Sequence, residues 1–173
     1  MSRPDPPRVA ASADLLAAAG AGGEVRGVPA GARTAAEAAA GLGVGVGAIA
    51  NSLVFAAGGQ PLLVLTSGAH RVDTARVAAL LGVPRVQRAD AGFVREHTGQ
   101  PIGGVAPVGH PAPIGTLVDV ELARHEQVWA AAGHPSAVFP TTYEELLRLT
   151  GGTPAEVGDG PPADVPQPAA AGQ

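Results

Sequence analysis

The chain has 173 residues, 46% of them hydrophobic and 15% charged, with five aromatic residues, no cysteine and a formal net charge of −4. That length suits one domain, since a single core serves roughly 100–200 residues. All eleven basic residues are arginines, which excludes Schiff-base, P-loop and lysine-nucleophile chemistry; the missing cysteines exclude disulfide scaffolds, thiolate zinc sites, iron–sulfur clusters and cysteine nucleophiles.

In chain order, Leu15 and Leu16 in an alanine-rich run predict a first helix over about 9–19, stopped by Gly20 and the Gly22-Gly23 pair. A short strand over 24–28 follows. Thr34-Ala35-Ala36-Glu37 has the spacing of a capping box and opens a second helix that ends at Gly41. The apolar, β-branched runs 49–57 and 62–66, separated by Gly58-Gly59, read as a hairpin. Asp73 caps a helix carrying Val77, Leu80 and Leu81 and closed by Gly82; Asp90 caps another carrying Phe93 and Val94 and closed by Gly99. Four prolines and three glycines make 100–113 a constrained loop. Strands are expected over 114–120, 127–131 and 136–139. Overlapping capping boxes at Thr141 and Thr142 open a last helix that stops at Gly151-Gly152.

Strands clustered as hairpin neighbours predict a mixed α/β fold, not a doubly wound one. The expected organisation is an N-terminal helix and strand over 1–33 packed on a domain of 34–152, then a disordered tail over 153–173 holding five prolines, three acidic groups and no base. The N-terminus lacks the apolar stretch of a secretory signal. Every alanine-rich run is cut well short of the roughly 20 residues of a membrane span, so a soluble cytoplasmic protein without a membrane partner is expected.

Gly43-Val44-Gly45-Val46-Gly47-Ala48 matches a dinucleotide fingerprint in letters only. A helix precedes it, a strand follows it, and no acidic residue lies about 20 positions on, so it reads as a helix-to-strand connection. The five histidines have no ligand spacing, and no metal or cofactor is expected. No G-x-S-x-G surrounds any serine. Arg71, Arg76, Arg85, Arg88 and Arg95 against Asp73 and Asp90 give residues 70–95 a local charge of +3. That is too small for strong non-specific binding of DNA, and sufficient to orient one stretch of phosphates. The loop from Pro101 to His110 places two adjacent glycines, Gly103 and Gly104, where backbone groups meet a small polar ligand without side-chain cover. An ordinary tight loop has the same composition.

Several ordered pieces, taken together, resemble the YbaK/EbsC family, whose domains are also inserted in or associated with bacterial prolyl-tRNA synthetases. They are Ile49-Ala50-Asn51-Ser52-Leu53-Val54-Phe55, Gly68-Ala69-His70-Arg71-Val72-Asp73, the G-x-x-x-P stretch from Gly103 to Pro107, Leu117-Val118-Asp119, Val128-Trp129-Ala130-Ala131-Ala132-Gly133, and the closing run from Glu145 to Gly151. The resemblance implies a mixed α/β fold with a curled, barrel-like sheet surrounded by helices. It also implies hydrolysis in trans of a mischarged aminoacyl-tRNA, here one carrying a small amino acid, with the tRNA 3′ end and a synthetase as partners. It implies catalytic roles for Asn51, Gly103 and Gly104, and substrate contacts for Ser52, Arg71, Pro107, Gly109, His110, Asp119 and Gly133. The family's functional lysine is replaced by Asn51, and Arg71 is the candidate for the missing charge. The alternative is a non-catalytic relative that binds tRNA ends or a synthetase.

Overall fold

The computed structural model describes residues 14, 16–27, 35–102, 104–108, 110–111, 114–134 and 137–158. Its strands are β1 (Arg26–Gly27), β2 (Ile49–Ala57), β3 (Gln60–Ser67), β4 (Val86–Arg88), β5 (Gly115–Asp119), β6 (Val128–His134), β7 (Ala137–Thr141) and β8 (Thr153–Ala155). Helices span Ala35–Leu42, Thr74–Leu81, Ala91–Thr98 and Tyr143–Thr150, with 3-10 turns at Val46–Ala48 and Val120–Arg124. The strands form one mixed, curled sheet in the order β1-β7-β6-β2-β3-β5-β8, and β4 pairs with β2 off that path.

Local chemistry accounts for most boundaries. Gly58 and Gly59 have φ of 58° and 88°, the left-handed pair that a tight hairpin turn requires, and β2 and β3 pair without a slip from Ala50↔Ser67 to Ala57↔Gln60. Asp73 accepts from the amide of Arg76 at 3.1 Å and Asp90 from that of Phe93 at 2.8 Å. Thr142 accepts from the amide of Glu145 at 3.0 Å. The carboxylate of Glu145 takes the Thr141 hydroxyl and the amide of Gly22, so this cap also ties down the N-terminal segment. That segment is packed. Leu16 is 2% exposed within the main core, Arg148 donates to the carbonyls of Ala19 and Gly20, and β1 pairs with β7. The capping box expected at Thr34 lies outside the described residues.

β2 and β3 carry apolar side chains on both faces because both faces are covered. Ala50, Val54, Leu63, Leu65 and Val118 join Phe139, Leu146 and the loop residue Val105 in the main core. Phe55, Leu62, Val64 and Leu117 face the other way, against Val77 and Val86. Three expectations are corrected. The strand expected over 127–131 continues to His134, because a bulge between Ala131 and His134, with Gly133 at φ 97°, lets its pairing with β7 resume. β4 was not expected; its one buried residue, Val86, gives no periodic signal. The tail expected from 153 starts as structure: β8 pairs in parallel with β5, Val157 is fully buried, Gly158 bridges to Val72, and Arg76 donates to the Gly158 carbonyl. Residues 159–173 lie outside the described set. Among the described residues no helix is long and apolar enough to cross a membrane.

Candidate functional site

The second edge of β2 changes partner part-way along. It pairs with β6 only at Ile49 and Ala50, and with β4 only from Phe55 to Ala57. Among the described residues, 51–54 therefore have a ladder partner, β3, on one side only. The carbonyl of Val54 accepts from Ala89 and the amide of Gly58 donates to Arg85, so backbone groups of the even-numbered residues point to this edge. The amide and carbonyl of Ser52 consequently face the gap.

A cleft of about 90 Å³ occupies this gap. Ser52, Leu53 and Val54 form its floor, Arg88 at the end of β4 one lip, Val94 of the Ala91–Thr98 helix a wall, and Ile102 and Val105 of the following loop the opposite side. One water needs about 10–15 Å³ of such space, so the cleft has room for a side chain of several heavy atoms. The walls are apolar apart from Arg88 and Ser52. Ser52 is 8% exposed, and its Oγ has no hydrogen-bond partner among the described residues.

The loop that closes the cleft is held by side chains that sequence reasoning missed. Gln100, 4% exposed, accepts from the amide of Ala106 at 2.7 Å and donates to the carbonyl of Val108 at 3.1 Å, bracing the far limb of the loop from its first residue. Thr98 donates to the carbonyls of Val94 and Gln100 and accepts from the Gln100 amide, which sets the angle at which the chain leaves the helix. Losing the Gln100 amide would leave the buried donor of Ala106 unpaired, at about 1–3 kcal/mol, and free the partly buried carbonyl of Val108.

His110 adds a third brace, with Nε2 2.9 Å from the carbonyl of Ala106. A carbonyl only accepts, so Nε2 carries the proton. Burial holds the imidazole pKa below 6.5, and the hydrogen bond to Ala106 opposes that shift in part. The folded state thus resists protonation more than the unfolded chain does. Above about pH 6.5 both states are neutral here; below it the unfolded chain takes the proton first, and stability falls until the folded-state pKa is passed. Urea midpoints measured from pH 7.5 to 5.5 are expected to decline in the wild type, and to decline less in His110→Gln.

Asn51 and Ser52 are neighbours in sequence and point to opposite faces. Asn51 lies opposite Thr66 on β3. Thr66 donates to Oδ2 of Asp119 at 3.2 Å, and the same oxygen accepts from the Ser67 amide at 2.9 Å and lies 2.9 Å from Nδ1 of His70. Oδ1 caps the turn after β5 by accepting from Glu121. Burial opposes ionisation of Asp119; hydrogen bonds from His70, Glu121 and Ser67 outweigh it and hold the carboxyl below its ordinary range. Asn51 therefore borders a buried carboxylate network on one face, while Ser52 floors the cleft that opens from the other.

The sequence profile of the aminoacyl-tRNA editing domain matches residues 29–149. The chain belongs to that family. This editing domain is 30% identical over 118 residues to YwhH of Bacillus subtilis (strain 168), covering 68% of the present chain and 74% of YwhH. It is 28% identical over 130 residues to the proline–tRNA ligase of Geobacter sulfurreducens, spanning 70% of this chain and 23% of the ligase. A solved protein described as a proposed trans-editing enzyme for prolyl-tRNA synthetase superposes with a TM-score of 0.84 at 41% identity, over 90% of this chain and 99% of that one. The hypothetical protein APE2540 superposes at 0.76 with 33% identity, over 84% and 97%.

Within the editing domain the candidate residues divide into groups. Ser52 lines the cleft. Gly104 and Pro107 are buried in its closing loop, where the Gly104 amide donates to Pro101 at 3.1 Å, and His110 braces that loop. Asn51 and Asp119 lie on the other face of the sheet. Arg71 follows β3 and Gly133 sits at the β6 bulge, both outside the lining of the cleft. Gly103 and Gly109 lie outside the described residues. Arg88, Val94 and Ile102 were missed as cleft residues; Arg88 stood in the basic stretch, but nothing local assigns it to a pocket. Among the described residues no group of three His, Asp or Glu side chains is placed to hold a metal ion.

Proposed function

We propose that this editing domain is a trans-acting aminoacyl-tRNA deacylase that hydrolyses the ester of a mischarged tRNA carrying a small amino acid. The observation that carries the reading is the small, mostly apolar cleft at the open edge of β2, closed by the braced glycine-proline loop. An aminoacyl ester is already activated, so fixing it beside a water supplies much of the rate. Water adds to the ester carbonyl, the tetrahedral oxyanion forms, and the ribose oxygen departs with a proton. In this reading Gly103 and Gly104 limit side-chain size in the pocket, while Pro107, Gly109 and His110 serve the loop that closes it. Arg88 at the lip takes a phosphate of the acceptor end, and Asn51, outside the cleft on the opposite face, orients the ester or the terminal ribose only around the open edge of β2. The reading uses no cofactor. Selection is by exclusion of larger side chains, because an apolar pocket separates a methylene by only about 1–3 kcal/mol.

The test is single-turnover deacylation of alanyl-, seryl- and cysteinyl-tRNA by the wild type and by Ile102→Trp. Ile102 is 45% exposed at the cleft mouth, so an indole there fills the space without burdening the core. Hydrolysis by the wild type and a loss of at least about 10²-fold in the variant are expected, the penalty of misplacing a bound substrate. The second reading, a non-catalytic relative that binds tRNA ends or a synthetase, is favoured by Asn51 in a chain without lysine. It predicts retained binding of the acceptor end with no hydrolysis.

A further inference from the structure

We infer that Ser52 makes the cleft selective for an aminoacyl group bearing a side-chain hydroxyl over an alanyl group, so that a seryl ester is the preferred small substrate. The inference deepens the deacylase reading and rests on it for the identity of the ligand. Its carrier is the Ser52 hydroxyl. On this face of β2 the flanking residues are Ala50 and Val54, both in the main core, and the cleft walls beside Ser52 are Val54, Val94 and Val105. An alanine at position 52 would suit such surroundings, whereas a hydroxyl that is 8% exposed and unpartnered among the described residues stands against them. An unpaired buried polar group is destabilising, and it becomes useful when a ligand supplies the partner.

The chemistry of that partner follows from the donor set. A serine hydroxyl donates one hydrogen bond and accepts others, so its best complement in a space of about 90 Å³ is a small group that does both. A seryl side chain meets that description. An alanyl methyl fits the volume but leaves the Ser52 oxygen unpaired, the situation in which a polar site rejects an apolar analogue. The Ser52 amide and carbonyl, which face the gap because β2 has no ladder partner there among the described residues, are placed for the ammonium and carbonyl groups common to every aminoacyl ester.

The experiment measures binding of two non-hydrolysable analogues, 3′-seryl- and 3′-alanyl-amido-3′-deoxyadenosine, to the full chain by titration calorimetry. The wild type, Ser52→Ala and Ser52→Thr are compared. The wild type is expected to bind the seryl analogue roughly 10–100-fold more tightly than the alanyl one. Ser52→Ala is expected to lose that ratio, and Ser52→Thr, which keeps the hydroxyl, to retain a preference. Equal binding of the two analogues by the wild type, a ratio that survives in Ser52→Ala, or failure of both to bind would overturn the inference. Analogues that bind with the expected ratio while neither ester is hydrolysed would instead overturn the deacylase reading and leave the selectivity standing.

Discussion

Asp119→Ala is expected to lower the stability of the fold by about 3–5 kcal/mol, the loss typical when one partner of a buried charged network is removed. Asp119 is fully buried and serves four groups from three places in the chain: the Ser67 amide and Thr66 hydroxyl on β3, the His70 ring after it, and the Glu121 amide beyond β5. Its removal strands those donors and uncaps the 3-10 turn together. For a domain of this size 1 kcal/mol corresponds to about 2–4 °C, so a drop in Tm of roughly 6–20 °C should appear by circular dichroism. The wild type carries a related signature. The folded carboxyl titrates below its ordinary value of 3.8, so its contribution is complete above the unfolded pKa and is lost as pH falls through the folded one. A loss below about 1 kcal/mol in Asp119→Ala would show that the network is worth no more than exposed polar contacts.

Asn51→Lys is expected to raise the single-turnover rate of deacylation by about 10²–10³-fold, the range associated with one preorganised donor at a developing oxyanion. The residue is half-buried beside the stretch where β2 has no second ladder partner, so a longer side chain can reach around the open edge toward the cleft. An ammonium brings charge, and charge-assisted hydrogen bonds are about twice as strong as neutral ones. The competing outcome is specific. The same face carries Thr66 and the Asp119 network, and a lysine captured by that carboxylate would leave the rate unchanged. A wild type that is inert alongside an active Asn51→Lys would favour the binding reading for the natural protein.

Legibility from sequence followed the range of the interactions. The Gly58-Gly59 hairpin and the caps at Asp73, Asp90 and Thr142 are decided within four residues of chain, and each was readable. Family membership was readable too, because it rests on ordered short motifs. The cleft was not, because it arises where β2 exchanges β6 for β4, and both partners come from distant segments. Gln100 was hidden for a similar reason: composition announces a constrained loop without saying which side chain braces it. Asn51 and Ser52 show a subtler limit. As adjacent letters they looked like one site, yet the two-residue period of a strand sends them to opposite faces. The acidic, proline-bearing segment after Gly152 misled in the other direction, since pairing with β5 and burial of Val157 order its first residues against their composition.

That last segment bears on where the domain may be cut or joined. The family profile stops at residue 149, yet the fold runs nine residues further, and its final turn is fitted closely enough that a Cβ at Gly158 would overlap the His70 ring. A fusion or excision placed at the profile's end would strip β8 away and bare the outer edge of β5, a row of unpaired amides and carbonyls that invites strands from other molecules. A joint after residue 158 keeps β8, the buried Val157 and the Gly158 bridge to Val72 all in place.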